Sequence, residues 1–148
     1  MSLSIKIFCI LSLLMFPIGC NKYQRLGVRA KMGDKRAMHE YGCELWAHTT
    51  GRKDEVDEAI KWIAMAAEKG EVEAMYKLGL IYDGTPVSGQ TTNKSLLWFR
   101  KGAEAGHRFC MIKLAEGYRY GRLGLPVDEA EANRWYDAAT KAKKPGDM

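Results

Sequence analysis

Three imidazoles, four thiols and one tight group of carboxylates are the side chains of this 148-residue chain with the chemistry to ligate a metal or run acid–base catalysis. His39, His48 and His107 are the histidines, and none has a second histidine four residues away or a cysteine two away, the spacings that put two ligands on one metal. They read as ordinary surface histidines. Asp54, Glu55, Asp57 and Glu58 have the types for a general acid and its base, but four carboxylates in five residues also suit the first turn of a helix, where the positive end of the backbone dipole stabilises them. No Gly-x-Ser-x-Gly, phosphate-cradling loop or Ser-x-x-Lys is present. The expectation is therefore a protein without catalysis, without a bound cofactor or metal, and with its function on its surface.

The elements that shape that surface come from a repeat of 36 to 37 residues. Ala67-Glu-Lys-Gly70 followed by Ala74-Met-Tyr-Lys-Leu-Gly79 returns as Ala103-Glu-Ala-Gly106 followed by Cys110-Met-Ile-Lys-Leu-Ala115. A period of that length marks a stack of helical hairpins. One helix of each unit begins after Gly33, Gly70 and Gly106. It carries small residues (Ala37, Ala74, Cys110), then Tyr41, Leu78, Leu114, then Gly42, Gly79, Ala115, and then Leu45, Tyr82, Tyr118, at offsets that make one stripe. The second helix carries Ala59, Ser95, Ala132, then Trp62, Trp98, Trp135, and Ala66, Gly102, Ala139; the indoles read as core. Turn residues separate the two helices at Thr49-Thr-Gly51, Gly84-Thr-Pro86-Val-Ser-Gly89 and Gly121-Arg-Leu-Gly-Leu-Pro126. Asp128 and Glu131 read as a capping pair at the start of the last helix.

The chain opens with one cation, Lys6, and an apolar run from Ile7 to Phe16 interrupted only by Ser12, ending at Pro17-Ile-Gly-Cys20. Such a run is about 15 Å long as a helix, half the roughly 30 Å of a bilayer core, which suits a removable export signal. The segment resembles a lipobox, with Pro17 where Leu is usual. That resemblance implies a lipoprotein signal over residues 1–19, lipid on Cys20, and a short linker over 20–25. Asn21 after the cysteine favours the outer over the inner membrane, on a periplasm-facing protein of the cell envelope. Of the four cysteines, Cys43 and Cys110 then remain as unpaired thiols, since corresponding helices two repeats apart lie on the order of 20 Å from each other, beyond the roughly 7 Å reach of a disulfide. Lys22, Arg25, Arg29, Lys31, Lys35 and Arg36 follow with only Asp34 among them, a basic stretch suited to anionic headgroups. Nothing interleaves aromatic and basic residues in the manner of a nucleic-acid reader, and no nucleic-acid partner is expected.

The pattern Ala-x-Tyr-x-Leu-Gly-x-x-Tyr from Ala74 to Tyr82, Glu58-Ala-Ile-Lys-Trp62 through Gly70, and Asp128 to Ala139 resembles the Sel-one-like repeat (SLR), a cousin of the tetratricopeptide repeat. The likeness runs over about residues 26–142, leaving 143–148 as a tail. It implies an all-α solenoid of three hairpins behind an N-terminal helical cap. It implies also a protein-binding face on the first helices: Arg36, His39, Cys43 and Trp46 in unit one, Glu73, Tyr76, Leu80 and Asp83 in unit two, and Phe109, Ile112, Glu116, Arg119 and Tyr120 in unit three. Trp46 stands apart because Asp83 and Arg119 occupy the equivalent places, leaving a binding anchor and packing on the cap as its two readings. The partner is then another protein. A small lipoprotein of this kind fits an immunity protein set against a secreted toxin such as a type VI lipase effector, or a general envelope adaptor. Secreted SLR proteins linked to penicillin binding carry a pair of cysteines in each repeat, which this chain lacks.

Overall fold

The computed structural model describes residues 22–84 and 90–142, in which seven α-helices follow one another without strands. They are α1 (Lys22–Lys31), α2 (Lys35–His48), α3 (Lys53–Glu68), α4 (Val72–Gly84), α5 (Gln90–Glu104), α6 (Arg108–Tyr120) and α7 (Glu129–Lys141). Each packs chiefly on its neighbours in the chain, giving hairpins α2–α3, α4–α5 and α6–α7 stacked behind α1. The expected signal, Cys20, residues 85–89 of the middle loop and the tail from 143 lie outside the described residues. The stretch expected as linker up to residue 25 is instead helical from Lys22, and Tyr23 packs its ring 5.0 Å from that of Tyr41.

One turn, used three times, sets the period. Gly33, Gly70 and Gly106 have φ of 97°, 79° and 87°, a left-handed conformation that glycine adopts without a Cβ clash. At each, the glycine N–H donates to the carbonyl three residues back (Ala30, Ala67, Ala103) and the next N–H reaches the carbonyl five back (Arg29, Ala66, Gly102), closing the helix end. That next residue is Asp34, Glu71 or His107, and the helix which follows starts on it. Asp34 Oδ1 accepts from the Ala37 N–H at 3.0 Å, and this bond, with the Arg29 guanidinium, holds its carboxyl below the ordinary range. Asp128 caps α7 through the Glu131 N–H at 3.0 Å. The expected reciprocal pairing is half made, because Glu131 turns to Arg134 and the Asp128 N–H donates to the Tyr118 carbonyl.

Unit one lacks the glycine-rich loop of the others, and Glu55 does the work of ordering it. Its carboxylate accepts from the Thr50 N–H (2.7 Å), the Thr50 and Thr49 hydroxyls (2.9 and 3.2 Å) and the Arg52 guanidinium. These bonds, the Thr50 N–H first, draw its pKa from an ordinary 4.5 to about 2. A folded-state pKa below the unfolded one gives a contribution to stability that is complete above about pH 4.5 and is lost as the pH falls toward 2. Wild type is therefore expected to lose melting temperature more steeply than Glu55→Gln between pH 4.5 and 2; parallel curves would mean that the clasp does not hold in solution.

The core forms two clusters. One joins α1 to α4 and includes Leu26, Ala37, Ile63, Ala66, Ala74 and Leu78; the other centres on Phe99, Ala103, Cys110 and Leu114. Every one of these residues and every cap above lies between Lys22 and Ala142, so a chain beginning at Asn21 keeps the whole described core. The small stripe on the first helices is buried as expected. The indoles are not the centre of the core: Trp62, Trp98 and Trp135 are half-buried at its margin, Trp62 edge-on to Tyr41 at 5.3 Å and Trp98 under the Lys101 ammonium at 4.7 Å. The fully buried residue is the one after the indole, Ile63 or Phe99, which seats against the glycine of the facing helix, Gly42 or Gly79.

Candidate functional site

The first helices α2, α4 and α6 are tied to one another by contacts near their N-termini. Lys35 Nζ donates to the Gly70 carbonyl at 2.9 Å and lies 3.8 Å from the Glu71 carboxylate, joining α2 to α4. Between α4 and α6 the tie is aromatic. Tyr76 stacks on His107 at 5.0 Å and lies 5.8 Å from Phe109 and 6.2 Å from Phe99.

His107, expected at the surface, is only 5% exposed. Its Nδ1 accepts from the Cys110 N–H at 3.3 Å and so caps α6, which leaves the proton on Nε2, 3.2 Å from Glu73 Oε1. The physical reason is register: His107 takes the place of Asp34 and Glu71, where a helix start needs an acceptor. His107→Ala should cost about 2 kcal/mol, the sum of a lost cap and a lost aromatic contact. His107→Asn, which restores the acceptor, should recover about half in urea unfolding, and equal losses in the two variants would argue against the cap. His39 is likewise half-buried, and burial lowers its pKa against the opposing pull of Glu71 and Glu73. His48 is exposed as expected.

Of the residues expected on the binding face, Glu73, Tyr76 and Phe109 come together around His107. Phe109 is 43% exposed at the outer edge of that group, and Tyr76 is half-buried, its hydroxyl pKa raised by burial. Asp83 and Glu116 meet further along, flanking Lys113, which donates to Glu116 at 3.0 Å and has its pKa raised by that bond. Leu80 and Met111 pack from this side onto the Phe99 cluster, and Ile112 is half-buried. Arg36 is exposed. Trp46 and Cys43 are half-buried against the core of the first two hairpins, so for Trp46 the structure supplies the packing contact, and burial raises the Cys43 pKa. Arg119 turns away toward α7, with its guanidinium 4.8 Å over Tyr136 and 3.2 Å from Asn133 Oδ1, whereas Tyr120 is 60% exposed beneath Arg122. Cys43 and Cys110 carry free thiols, Cys110 fully buried with its pKa pushed up to about 12.

At the other end of the array a cavity of about 470 Å³ opens among α1, α2 and α3, lined by Lys22, Tyr23, Glu44, His48, Glu55 and Glu58 with Leu45 and Thr49. Its polar groups largely answer one another. Lys22 lies 3.3 Å from Glu44, which also faces His48 at 3.6 Å, and Glu55 belongs to the loop clasp. Among the described residues no three His, Cys, Asp or Glu side chains are grouped to hold a metal ion. What the first-helix face offers is a row of aromatic, aliphatic and charged groups.

Residues 35–71, 72–107 and 109–143 each match the Sel1 repeat. The chain belongs to the Sel1 repeat family. The three matches begin at the first helices and reproduce the hairpins α2–α3, α4–α5 and α6–α7. Two solved structures carry the same fold. A protective antigen present in uropathogenic Escherichia coli strains and displaying an SLR fold is 29% identical, with a TM-score of 0.71 over 82% of this chain and 26% of the antigen. A Sel1 repeat protein of Oxalobacter formigenes is 26% identical, with a TM-score of 0.67 over 84% of this chain and 98% of that one. Among curated proteins, eukaryotic elongation factor 2 kinase of Mus musculus and that of Rattus norvegicus are each 37% identical over 112 residues, 62% of this chain. The chain spans 15% of the length of those two kinases. Sel1 repeats build scaffolds on which other proteins are bound, and this chain is such a scaffold.

Proposed function

We propose that this SLR protein is an envelope lipoprotein, held by lipid on Cys20 and facing the periplasm, whose first-helix face binds one partner protein. In its sharpest form it is an immunity protein that binds and neutralises a toxic effector, for example a type VI secretion lipase, and performs no catalysis of its own. The observation that carries the reading is Phe109, exposed beside Tyr76 at the start of α6, with Tyr120 exposed about three turns further on at the end of the same helix. Phe109 meets Tyr76 and His107 with part of its ring but stays 43% exposed, and Tyr120 is 60% exposed; aromatic side chains that remain open on a helix are frequent anchors of protein interfaces. The lipid anchor rests on Pro17-Ile-Gly-Cys20 and the apolar run before it, and Asn21 favours the outer membrane.

The test is genetic. Cells lacking the gene should grow normally alone and die only beside a strain that delivers the effector. A restored wild-type copy should protect them, and a Cys20→Ser copy should protect poorly. Sensitivity in the absence of any toxin would contradict immunity and favour a general envelope adaptor, a role for which the mixed charge of the same face also suits several partners.

A further inference from the structure

The excess of positive charge lies at one end of the array. Residues 22–36 hold six Lys and Arg against Asp34 alone, whereas residues 37–148 hold sixteen against seventeen Asp and Glu. Most of that segment is α1, the first helix among the described residues, which packs chiefly on α2. Its buried side is Leu26, Gly27 and Ala30 with half-buried Tyr23. At 3.6 residues per turn, Arg25, Val28, Arg29 and Met32 fall on the opposite side, with Gln24 and Lys31 beside them. Val28 is 36% and Met32 63% exposed, two apolar side chains set among cations. Arg29 is held by Asp34 at 2.6 Å and Lys22 by Glu44, but Arg25, Lys31 and Arg36 make no ion pair among the described residues.

We infer that the outer face of α1 is a docking surface for an anionic phospholipid bilayer, Arg25 and Lys31 meeting headgroups while Val28 and Met32 enter the boundary beneath them. A helix with cations flanking exposed apolar residues is the pattern that lies in a membrane interface. Charge complementarity selects this occupant: packing the same face on a second copy would oppose two sets of cations and oppose association. Docking here would set the solenoid on its α1 end, leaving α4 and α6 raised away from the lipid for a partner. The inference deepens the envelope reading above, but its test omits Cys20, so a failure of lipidation and a failure of this surface give different results.

The measurement is co-sedimentation of residues 21–148 with phosphatidylcholine vesicles, with and without phosphatidylglycerol. Wild type should sediment only with the anionic vesicles and should be released at about 1 M salt, where the screening length falls to about 3 Å. Arg25→Glu/Lys31→Glu should lower the partition coefficient by at least about 25-fold, each cation lost near such a surface being worth roughly fivefold and the new carboxylates adding repulsion. Both side chains are exposed and circular dichroism checks the helices; if that variant loses structure, the salt release of wild type decides alone. Binding that ignores phosphatidylglycerol, or that survives the charge reversal, would overturn the inference. So would an absence of vesicle binding together with a dimer in sedimentation that Met32→Glu dissociates, which would give the face to a second copy.

Discussion

Gly102→Ala is expected to destabilise the protein by about 1–3 kcal/mol, and adding Cys110→Ala is expected to remove most of that loss. A Cβ on Gly102 would stand 2.5 Å from the Cys110 sulfur and 3.3 Å from its Cβ, in a place where neither helix can retreat without disturbing the next unit. One repeat earlier, the corresponding positions are Ala66 and Ala74, both fully buried. The methyl that Gly102 lacks and the sulfur that Cys110 has are thus exchanged across one contact, and the double variant rebuilds the Ala66–Ala74 pair. Cys110→Ala alone leaves a small void and should cost about 1 kcal/mol. The double variant should lie within about 1 kcal/mol of wild type, helped by the better helix propensity of alanine at 102. Urea unfolding of the four proteins checks this, and losses that simply add would contradict the packing described.

The other large effect is at Phe99, the bulkiest fully buried side chain among the described residues. Phe99→Ala should cost about 3–5 kcal/mol, a large share of the 5–15 kcal/mol that a domain has in total. Its ring reaches so far that a Cβ on Gly79 would come within 2.3 Å of Cε1. Gly79→Ala alone should therefore cost about 1–3 kcal/mol by overpacking. In the double variant the new methyl enters the space the ring has left, so the combined loss should fall below the sum of the two. A thermal melt monitored at 222 nm checks all three, and a Phe99→Ala protein that melts near wild type would mean that the second core cluster is not closed around this ring.

The periodic part of the structure was legible because it follows from small residues and glycines at fixed offsets. Ala37, Ala74 and Cys110 had to be buried, Gly33, Gly70 and Gly106 had to turn the chain, and they do. Two core features were visible in the same register and were missed for a common reason, namely that a conspicuous side chain was read by type in place of position. His107 draws notice as an imidazole, but its place in line with Asp34 and Glu71 marks a helix cap. Trp62 and Trp98 draw notice as indoles, but Ile63 and Phe99 lie one step round the helix, facing Gly42 and Gly79. The loop clasp at Glu55 carried no signal beyond four carboxylates in five residues, because which of them turns back depends on Thr49, Thr50 and Arg52 folding over it.

For the binding face the sequence could place residues on the right helices but not in contact. Side-chain direction at a helix end depends on the neighbouring hairpin. Arg119 therefore spends its charge on Tyr136 and Asn133, and Trp46 leans on the core, while Phe109 and Tyr120 remain outward. The expected anchors accordingly shift from Trp46 and Tyr76, whose rings help hold the fold, toward Phe109 and Tyr120.

The most direct test of the account is affinity capture by residues 21–148 from envelope and secreted fractions of the source strain, run beside a Phe109→Ser/Tyr120→Ser variant. One partner at one-to-one stoichiometry, bound by wild type and lost by a variant whose circular dichroism spectrum still shows the folded helices, is the predicted result. A partner retained equally by both proteins would contradict the assignment of the first-helix face as the surface that binds it.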